Sequence, residues 1–299
     1  MTTPNDSNGF LSVMTGLLIL EVCKSNPNGD PDNDGAPRIR ADGKGEISPV
    51  SVKRKARDLI GDKEGIIWTT IAAKEELDLD PAQYQIIEER GRDKVAIIKQ
   101  LESGQAIYWD GRVFGNTLLE EGKKNGHERT GAIQLGVGFS IAPIEIEYST
   151  WSNKAGVEAD KDRGMAPNAH KVVRHGLYAV PFFIDPTAGR KSGCKWIDIQ
   201  VFLTVLKYVY ARTRSVCRTE VELIHAHVLT HANPCGSCRE LSLIEALTPK
   251  KLSDPNDPST SLSDYVIPQW SDIQDKPADG TLNKTYAQCG TYQDWALFD

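Results

Sequence analysis

Leu17-Leu-Ile-Leu-Glu-Val-Cys-Lys-Ser-Asn-Pro-Asn-Gly-Asp-Pro-Asp32 is the stretch that decides the fold reading. Its first half is apolar on both alternating faces, which predicts a central strand covered on both sides. Its second half is rich in Asn, Asp, Gly and Pro, which predicts a turn-filled loop over 24–47. Ser48-Pro49 then supplies an N-cap and a proline at the first helical position. On the helix that follows, Val52, Ala56, Leu59 and Ile60 share one face, Lys53, Arg54 and Arg57 lie opposite, and Lys55 flanks them. Such a basic face reads as solvated surface or as a phosphate contact, and its place just after a polar loop gives weight to the second.

Outward from this stretch the chain alternates elements. Residues 62–110 read as an insertion with helices near 71–79 and 92–103. Asp110–Asn116 reads as a turn and a glycine-punctuated segment. Strands are expected over Gly131–Ile141, Glu145–Tyr148, Gly176–Ile184 and Val221–His231. Residues 150–172 read as a polar excursion or hairpin. Asp198 is placed to cap an apolar helix over Ile199–Arg212. The order strand, helix, strands, helix, strand predicts an α+β chain with a ferredoxin-like, RNA-recognition-type sheet and large insertions. The tail after Pro249 is rich in Asp, Pro and Ser, and is expected to be draped or partly disordered, with Trp295–Phe298 docking at its end.

The net charge of −6 would seem to disfavour a polyanionic partner, but its distribution reverses that. Residues 254–299 hold eight Asp, no Glu and two Lys, so the rest of the chain is balanced. Within that balance, residues 38–57 carry seven Lys/Arg against Asp42 and Glu46, the footprint of a local basic patch. Four of the six cysteines are scattered singly, which predicts reduced thiols rather than a disulfide framework. No Lys or Arg precedes Lys24, so Leu17–Val22 lacks the basic flank of a signal peptide, and it is too short to cross a bilayer. A cytoplasmic protein without a membrane partner is expected.

Asp30-Pro-Asp-Asn-Asp-Gly35 imitates a calcium loop, but the twelfth position, where a bidentate Glu belongs, is Ala41. His225, His227 and His231 fall on one face of a strand, followed by Cys235-Gly-Ser-Cys238, a loose zinc-like spacing that matches no standard finger. Pro234-Cys-x-x-Cys238 lacks the His-x-Glu of a zinc deaminase, since the position of the Glu is taken by His227. No Ser-His-Asp signature, Walker loop or dinucleotide fingerprint is present. The sequence therefore predicts no catalytic residue, no metal, no cofactor and no enzyme.

Asn26-Pro-Asn-Gly-Asp-Pro-Asp32, Pro37-Arg-Ile, Val52-Lys-Arg-Lys-Ala-Arg57, Asp110-x-Arg-Val-Phe-Gly115, Arg129-x-Gly-x-Ile-Gln134 and His175-Gly-Leu-Tyr178, in this order, resemble the backbone subunit of type I CRISPR Cascade complexes, in the I-C/I-B branch of the RAMP superfamily. The resemblance runs from about residue 10 to about residue 232. It implies a hand-shaped subunit: a palm over 10–61 and 111–240, helical fingers over 62–110, and a thumb hairpin over 150–172. An acidic extension over 249–299 lies outside the pattern.

The same resemblance implies a partner and a task. Copies would polymerise along the spacer of a CRISPR guide RNA beside other Cascade subunits, supporting guide pairing with a target DNA strand in antiviral defence. The RNA contacts it implies are Arg38, Lys53, Arg54 and Arg57 on phosphates, Asn26 and Asn28 on backbone or ribose, and Phe114, Arg129, Gln134 and Lys171 from the matched segments. Met165 or a neighbour in the thumb would wedge between bases. The rival is a metal-dependent ribonuclease that cleaves target RNA, for which Asp30, Asp32 and Asp34 are the suspects, or one that processes guide RNA.

Overall fold

The computed structural model describes residues 11–89, 91, 93–103, 107–118, 127–154 and 165–298. Its spine is β1, Met14–Ser25. Leu18, Leu20 and Val22 of β1 enter one core, while Leu17 and Ile19 enter a second core on the opposite face. The uninterrupted apolar run is therefore a strand buried on both sides, as its pattern predicts.

Around β1 an eight-stranded antiparallel sheet assembles from β2 (Lys44–Ile47), β3 (Ile133–Leu135), β4 (Gly138–Pro143), β5 (Ile146–Lys154), β6 (Met165–Ile184), β7 (Val221–His231) and β8 (Gly290–Asp294). The spatial order is β8–β7–β1–β6–β4–β2, with β3 and β5 also pairing β6. Two helices, α1 (Pro49–Gly61) after β1 and the apolar Trp196–Leu206 before β7, cover the first face. The chain is thus a mixed α/β fold with a central antiparallel sheet, in which a strand, a helix, further strands, a helix and a strand follow one another as the sequence predicts, with additional elements between them. β5 and β6 form one long hairpin, in register from Ile146 opposite Val173 to Lys154 opposite Met165.

Several boundaries differ from expectation. In the 62–110 segment α2 is Ile66–Ala72 rather than 71–79, because Ile67, Trp68 and Ile71 are drawn into the main core. α3 is Lys94–Glu102, close to its predicted bounds. The segment expected to be a turn is a buried helix, α4 (Trp109–Phe114). It ends where Gly115 takes φ +83°, and a Cβ there would sit 2.3 Å from the Arg129 carbonyl oxygen. The strand expected over Gly131–Ile141 is split into β3 and β4, with the Gly136 N–H turned to the Pro181 carbonyl. α5 is Pro186–Ser192, and α6 (Trp196–Leu206) stops six residues short of Arg212. Asp198 lies one turn inside α6, where its carboxylate accepts from the Lys195 N–H at 2.9 Å and pairs with buried Arg112 at 2.6 Å.

The C-terminal segment is neither draped nor loose. α7 (Glu240–Leu247), Tyr265, Ile273, Tyr286 and Cys289 build the second core over Leu17, Ile19, Leu177 and Leu229. β8 then closes the sheet against β7 from His227 opposite Asp294 to His231 opposite Gly290. The aspartates misled because they cap turns on the solvent side, as Asp264 and Asp272 do, while the sparse apolar residues between them point inward. Trp295 and Ala296 pack on the first core, and Phe298 lies edge-on to Tyr208. No helix among the described residues is long and apolar enough to cross a membrane.

Candidate nucleic-acid interface

Beyond the end of β1, the loop predicted from Asn26–Asp32 is an ordered knot. Asn28 is buried, and its Oδ1 accepts from both the Ser48 N–H (3.1 Å) and the Ser48 hydroxyl (2.8 Å), which fixes the loop to the N-cap of α1. Asn26 is buried as well, and its Nδ2 donates to the Gly35 carbonyl at 2.7 Å. Both amides therefore work inside the chain and set the loop's shape. Asp30 caps the short Pro31–Asn33 turn and pairs with Arg38 at 3.5 Å, while Arg38 also lies 3.9 Å from Glu46. Asp32 and Asp34 are exposed.

The exposed cationic face expected on α1 does not form. Lys55 is buried, its ammonium bonded to Thr213 Oγ1 at 3.2 Å and lying 5.1 Å from the centre of the Tyr210 ring. Burial, reinforced by the nearby Arg218 charge, pushes its pKa down to about 8. Arg57 is only 11 % exposed and pairs with fully buried Asp110 at 2.9 Å. Arg54 pairs with Asp58 at 2.8 Å and donates to the Glu88 carbonyl at 3.0 Å. Arg54 and Arg57 line a cavity of about 300 Å³ together with Asp58, Asp62, Glu88 and Glu89, a wall with more carboxylates than guanidiniums. That is a poor seat for phosphate. Sequence periodicity misassigned this face because the 62–110 segment, invisible to a helical wheel, packs against it.

Phe114 is a core residue, edge-on to Trp109 and Phe202, with Lys53 and Arg57 stationed 5.5 and 5.2 Å from its ring centre. Lys53 is half-buried, and desolvation, then the Arg57 charge, lowers its pKa. Arg129 and Gln134 are exposed; Arg129 lies on the strand His127–Thr130 opposite Asn116, and Gln134 is on β3. Lys171 is half-buried at the base of the β5–β6 hairpin, 4.0 Å from Asp34. Met165 opens β6, paired with Lys154, and its side chain lies outside the described residues. So do residues 155–164 and the side chain of Trp151.

A second loop, 211–220, is laced to the first. The Cys23 N–H meets the Glu220 carbonyl (2.9 Å), the Asn26 N–H meets the Cys217 carbonyl (2.7 Å), and Arg218 Nε donates to the Asn26 carbonyl at 2.8 Å. Glu220 N–H completes the seam on Ser25 Oγ at 2.9 Å. No acidic residue lies between Asp198 and Glu220, whereas Lys207, Arg212, Arg214 and Arg218 do. Among the described residues, none of these three arginines forms an ion pair with a carboxylate. Lys24, at the junction, is exposed and takes φ +40°, an uncommon conformation for a side-chain-bearing residue. Tyr148, opposite Lys171, leaves its ring 75 % exposed on the hairpin base. The arginine segment, laced to the loop, presents cations that meet no carboxylate among the described residues. The hairpin base, joined to the loop through Lys171 and Asp34, adds the exposed Tyr148 ring, a combination that suits single-stranded nucleic acid. Sequence reasoning missed Arg212, Arg214, Arg218 and Tyr148. The acid-free run was the available signal, hidden by an over-long helix assignment.

The histidines and cysteines near the C-terminal layer are not one cluster. His231 bonds Thr15 Oγ1 (2.9 Å) and accepts from the Ser237 N–H (3.0 Å); Cys235 is exposed and Cys238 half-buried, its thiol pushed up to about 12 by burial.

No curated protein matches this sequence. Among solved structures, the chain is similar to a subunit of a "CRISPR RNA-guided surveillance complex, pre-nicking" (14 % identity, TM-score 0.44, covering 74 % of this chain and 79 % of that one). It is also similar to one of a "CRISPR RNA-guided surveillance complex" (15 %, TM-score 0.44, 74 % and 70 %). A third likeness is to a chain in a structure of "the Type III-B Cmr-beta bound to cognate target RNA" (11 %, TM-score 0.40, 73 % and 61 %). At these values the structural likenesses carry no functional weight of their own. The sequence of residues 13–269 matches the family model described as CRISPR-associated protein Cas7, and on that match, which spans most of its length, the chain belongs to the Cas7 family.

Proposed function

We propose that this chain is the guide-RNA-binding backbone subunit of a CRISPR surveillance complex. Copies follow one another along the spacer, beside other subunits, and hold the guide for pairing with a target DNA strand. The observation that carries the proposal is the laced pair of loops at the end of β1, where Arg212, Arg214 and Arg218 pair with no carboxylate among the described residues, in a chain of the Cas7 family. A subunit serving any spacer must contact phosphate and sugar rather than base edges, and a surface of unpaired cations does so. Tyr148 and Lys171 extend that surface onto the hairpin base. Arg38, Lys53 and Arg129 are its outer contributors. Arg54, Arg57, Phe114, Asn26 and Asn28 shape it from behind.

In this reading residues 10–61 and 111–240 are the palm, 62–110 the fingers and 150–172 the thumb. The subunit acts as a scaffold, not a nuclease: Asp30 is engaged by Arg38, and sequence discrimination lies in guide–target pairing. The test is RNA binding by the purified full chain, measured by fluorescence anisotropy with two CRISPR transcripts of unrelated spacer. Equal affinities and a steep fall with salt are expected, each phosphate contact contributing about −0.7 to the slope of log K against log salt. Labelled RNA complementary to the guide should stay intact with Mg²⁺. Affinity confined to one spacer, indifference to salt, or regular cuts would overturn the proposal.

A further inference from the structure

At the end of β7 the fold brings two thiols, Cys238 and Cys289, to one corner, although more than 50 residues separate them in the chain. Both belong to the second core: Cys289 is fully buried, and half-buried Cys238 packs against the same group of side chains. Each backbone is pinned to the same strand end. Beside Cys238, the Ser237 N–H donates to His231 Nδ1 at 3.0 Å, and the Ser237 hydroxyl accepts from the Asn233 N–H at 2.9 Å. Cys289 offers its carbonyl to the Ala232 N–H at 2.9 Å, and the next residue, Gly290, pairs with His231 in the β7–β8 ladder. A Cβ at Gly290 would sit 2.0 Å from the Thr230 carbonyl oxygen, so β8 starts in close contact with β7.

The sulfur atoms follow from this anchoring. Cys289 Sγ lies 3.5 Å from the Ser237 carbonyl oxygen, which belongs to the peptide bond leading into Cys238. The two thiols hydrogen-bond one another. Fixed backbones with their sulfurs in contact are what a disulfide requires, since a bond that must pull the chain out of place stores strain. Exposed Cys235 lies in the same turn as Cys238 and is the competing thiol.

We propose that Cys238 and Cys289 are a modification site, a dithiol that a soluble disulfide of the glutathione class oxidises to an intrachain disulfide. Cys238, the thiol with access to solvent, loses its proton and attacks one sulfur of the oxidant. The S–S bond of the oxidant breaks, its first thiol leaves, and a mixed disulfide stands on Cys238. Cys289 Sγ then attacks the Cys238 sulfur from inside the core, and the second thiol of the oxidant leaves. Two electrons pass to the oxidant, and the two protons of the protein thiols end on its two sulfurs. Burial pushes the Cys238 thiol up to about 12, so little thiolate stands ready at neutral pH and the chain starts as the dithiol. The new bond joins the residue before the Arg239 cap of α7 to the residue before β8. Closing a loop of about 50 residues restricts the unfolded chain far more than the pinned native one, so the oxidised form is the more stable and holds β8 to the edge of β7.

The test is exposure of the folded full chain to glutathione disulfide, followed by peptide mapping without reductant. A linked pair of peptides carrying Cys238 and Cys289, two hydrogens lighter than the reduced pair, is expected. In Cys235→Ser, which cannot form the competing link, the same pair should appear, and the oxidised protein should melt up to about 8 °C above the reduced one, a shift that dithiothreitol reverses. Cys289→Ser should stop at the glutathione mixed disulfide on Cys238. Should that variant misfold, the maps of the unaltered chain and of Cys235→Ser decide alone. A link between Cys235 and Cys238, no link after prolonged exposure, or an oxidised form that melts below the reduced one would overturn the proposal.

Discussion

Arg57→Met separates the two meanings a basic helix face can have. Arg57 pairs with Asp110 at 2.9 Å, and Asp110, with no exposure to solvent, also accepts from the Ile87 and Glu88 N–H groups at 2.8 and 3.2 Å. Methionine keeps the volume and the apolar stem but leaves the carboxylate with its two backbone donors alone. Breaking a buried pair from one side costs about 3–5 kcal/mol, and the surviving hydrogen bonds place this case near the lower end, at about 3 kcal/mol. In a domain this large, about 2 °C per kcal/mol gives a fall of roughly 6 °C in Tm. Thermal and urea unfolding of Arg57→Met, Asp110→Asn and the double variant form a cycle, with an expected coupling of about 2 kcal/mol. RNA affinity at low salt should change little once the protein is folded. A Tm within about 1 °C of the parent, together with a tenfold loss of RNA affinity, would refute the reasoning and return Arg57 to the phosphate surface.

Arg214→Ala with Arg218→Ala should weaken RNA binding equally for unrelated spacers and flatten the salt slope by about 1.4; a spacer-specific effect would contradict this. Lys55 gives a pH signature. Its pKa is about 8 when folded against an ordinary value of 10.5, so between these values the unfolded chain holds the extra proton and stability rises with pH. The gain is about 3 kcal/mol, seen as a urea midpoint that climbs over this window. Lys63 titrates over the same window, so the measurement is the difference between the parent and Lys55→Met, whose slope should be shallower; equal slopes would sink the claim. Deleting 290–299 removes β8 and bares the edge of β7, so the product should aggregate or lose its cooperative thermal transition; a soluble, cooperatively melting product would show that β8 is dispensable.

How much of this was legible beforehand follows from the range of the forces involved. The central strand, the Ser48–Pro49 helix start and the Val221–His231 strand could be read because each is set by local pattern: two-sided apolarity, a cap, alternation. The buried helix at Trp109–Phe114 could not, because its glycine and charged residues mark a turn locally and only the Asp110–Arg57 and Arg112–Asp198 pairs make it a helix worth burying. The tail misled for a related reason. Its composition is that of a disordered segment, yet a few inward residues suffice once β7 offers an unpaired edge.

The basic patch shows the same division at the candidate site. By itself the sequence determined that cations and a turn-rich loop stand side by side after the first strand, since neighbours in the chain need no fold to be neighbours. Which cations remain available was decided only by tertiary packing. Arg54 and Arg57 meet carboxylates more than 50 residues away or one turn on, whereas Arg212, Arg214 and Arg218 arrive on the loop before β7 and meet none among the described residues. Charge is written in the sequence, but whether a charge is spent on a partner or left for a ligand depends on which groups the fold brings within a few ångströms of it.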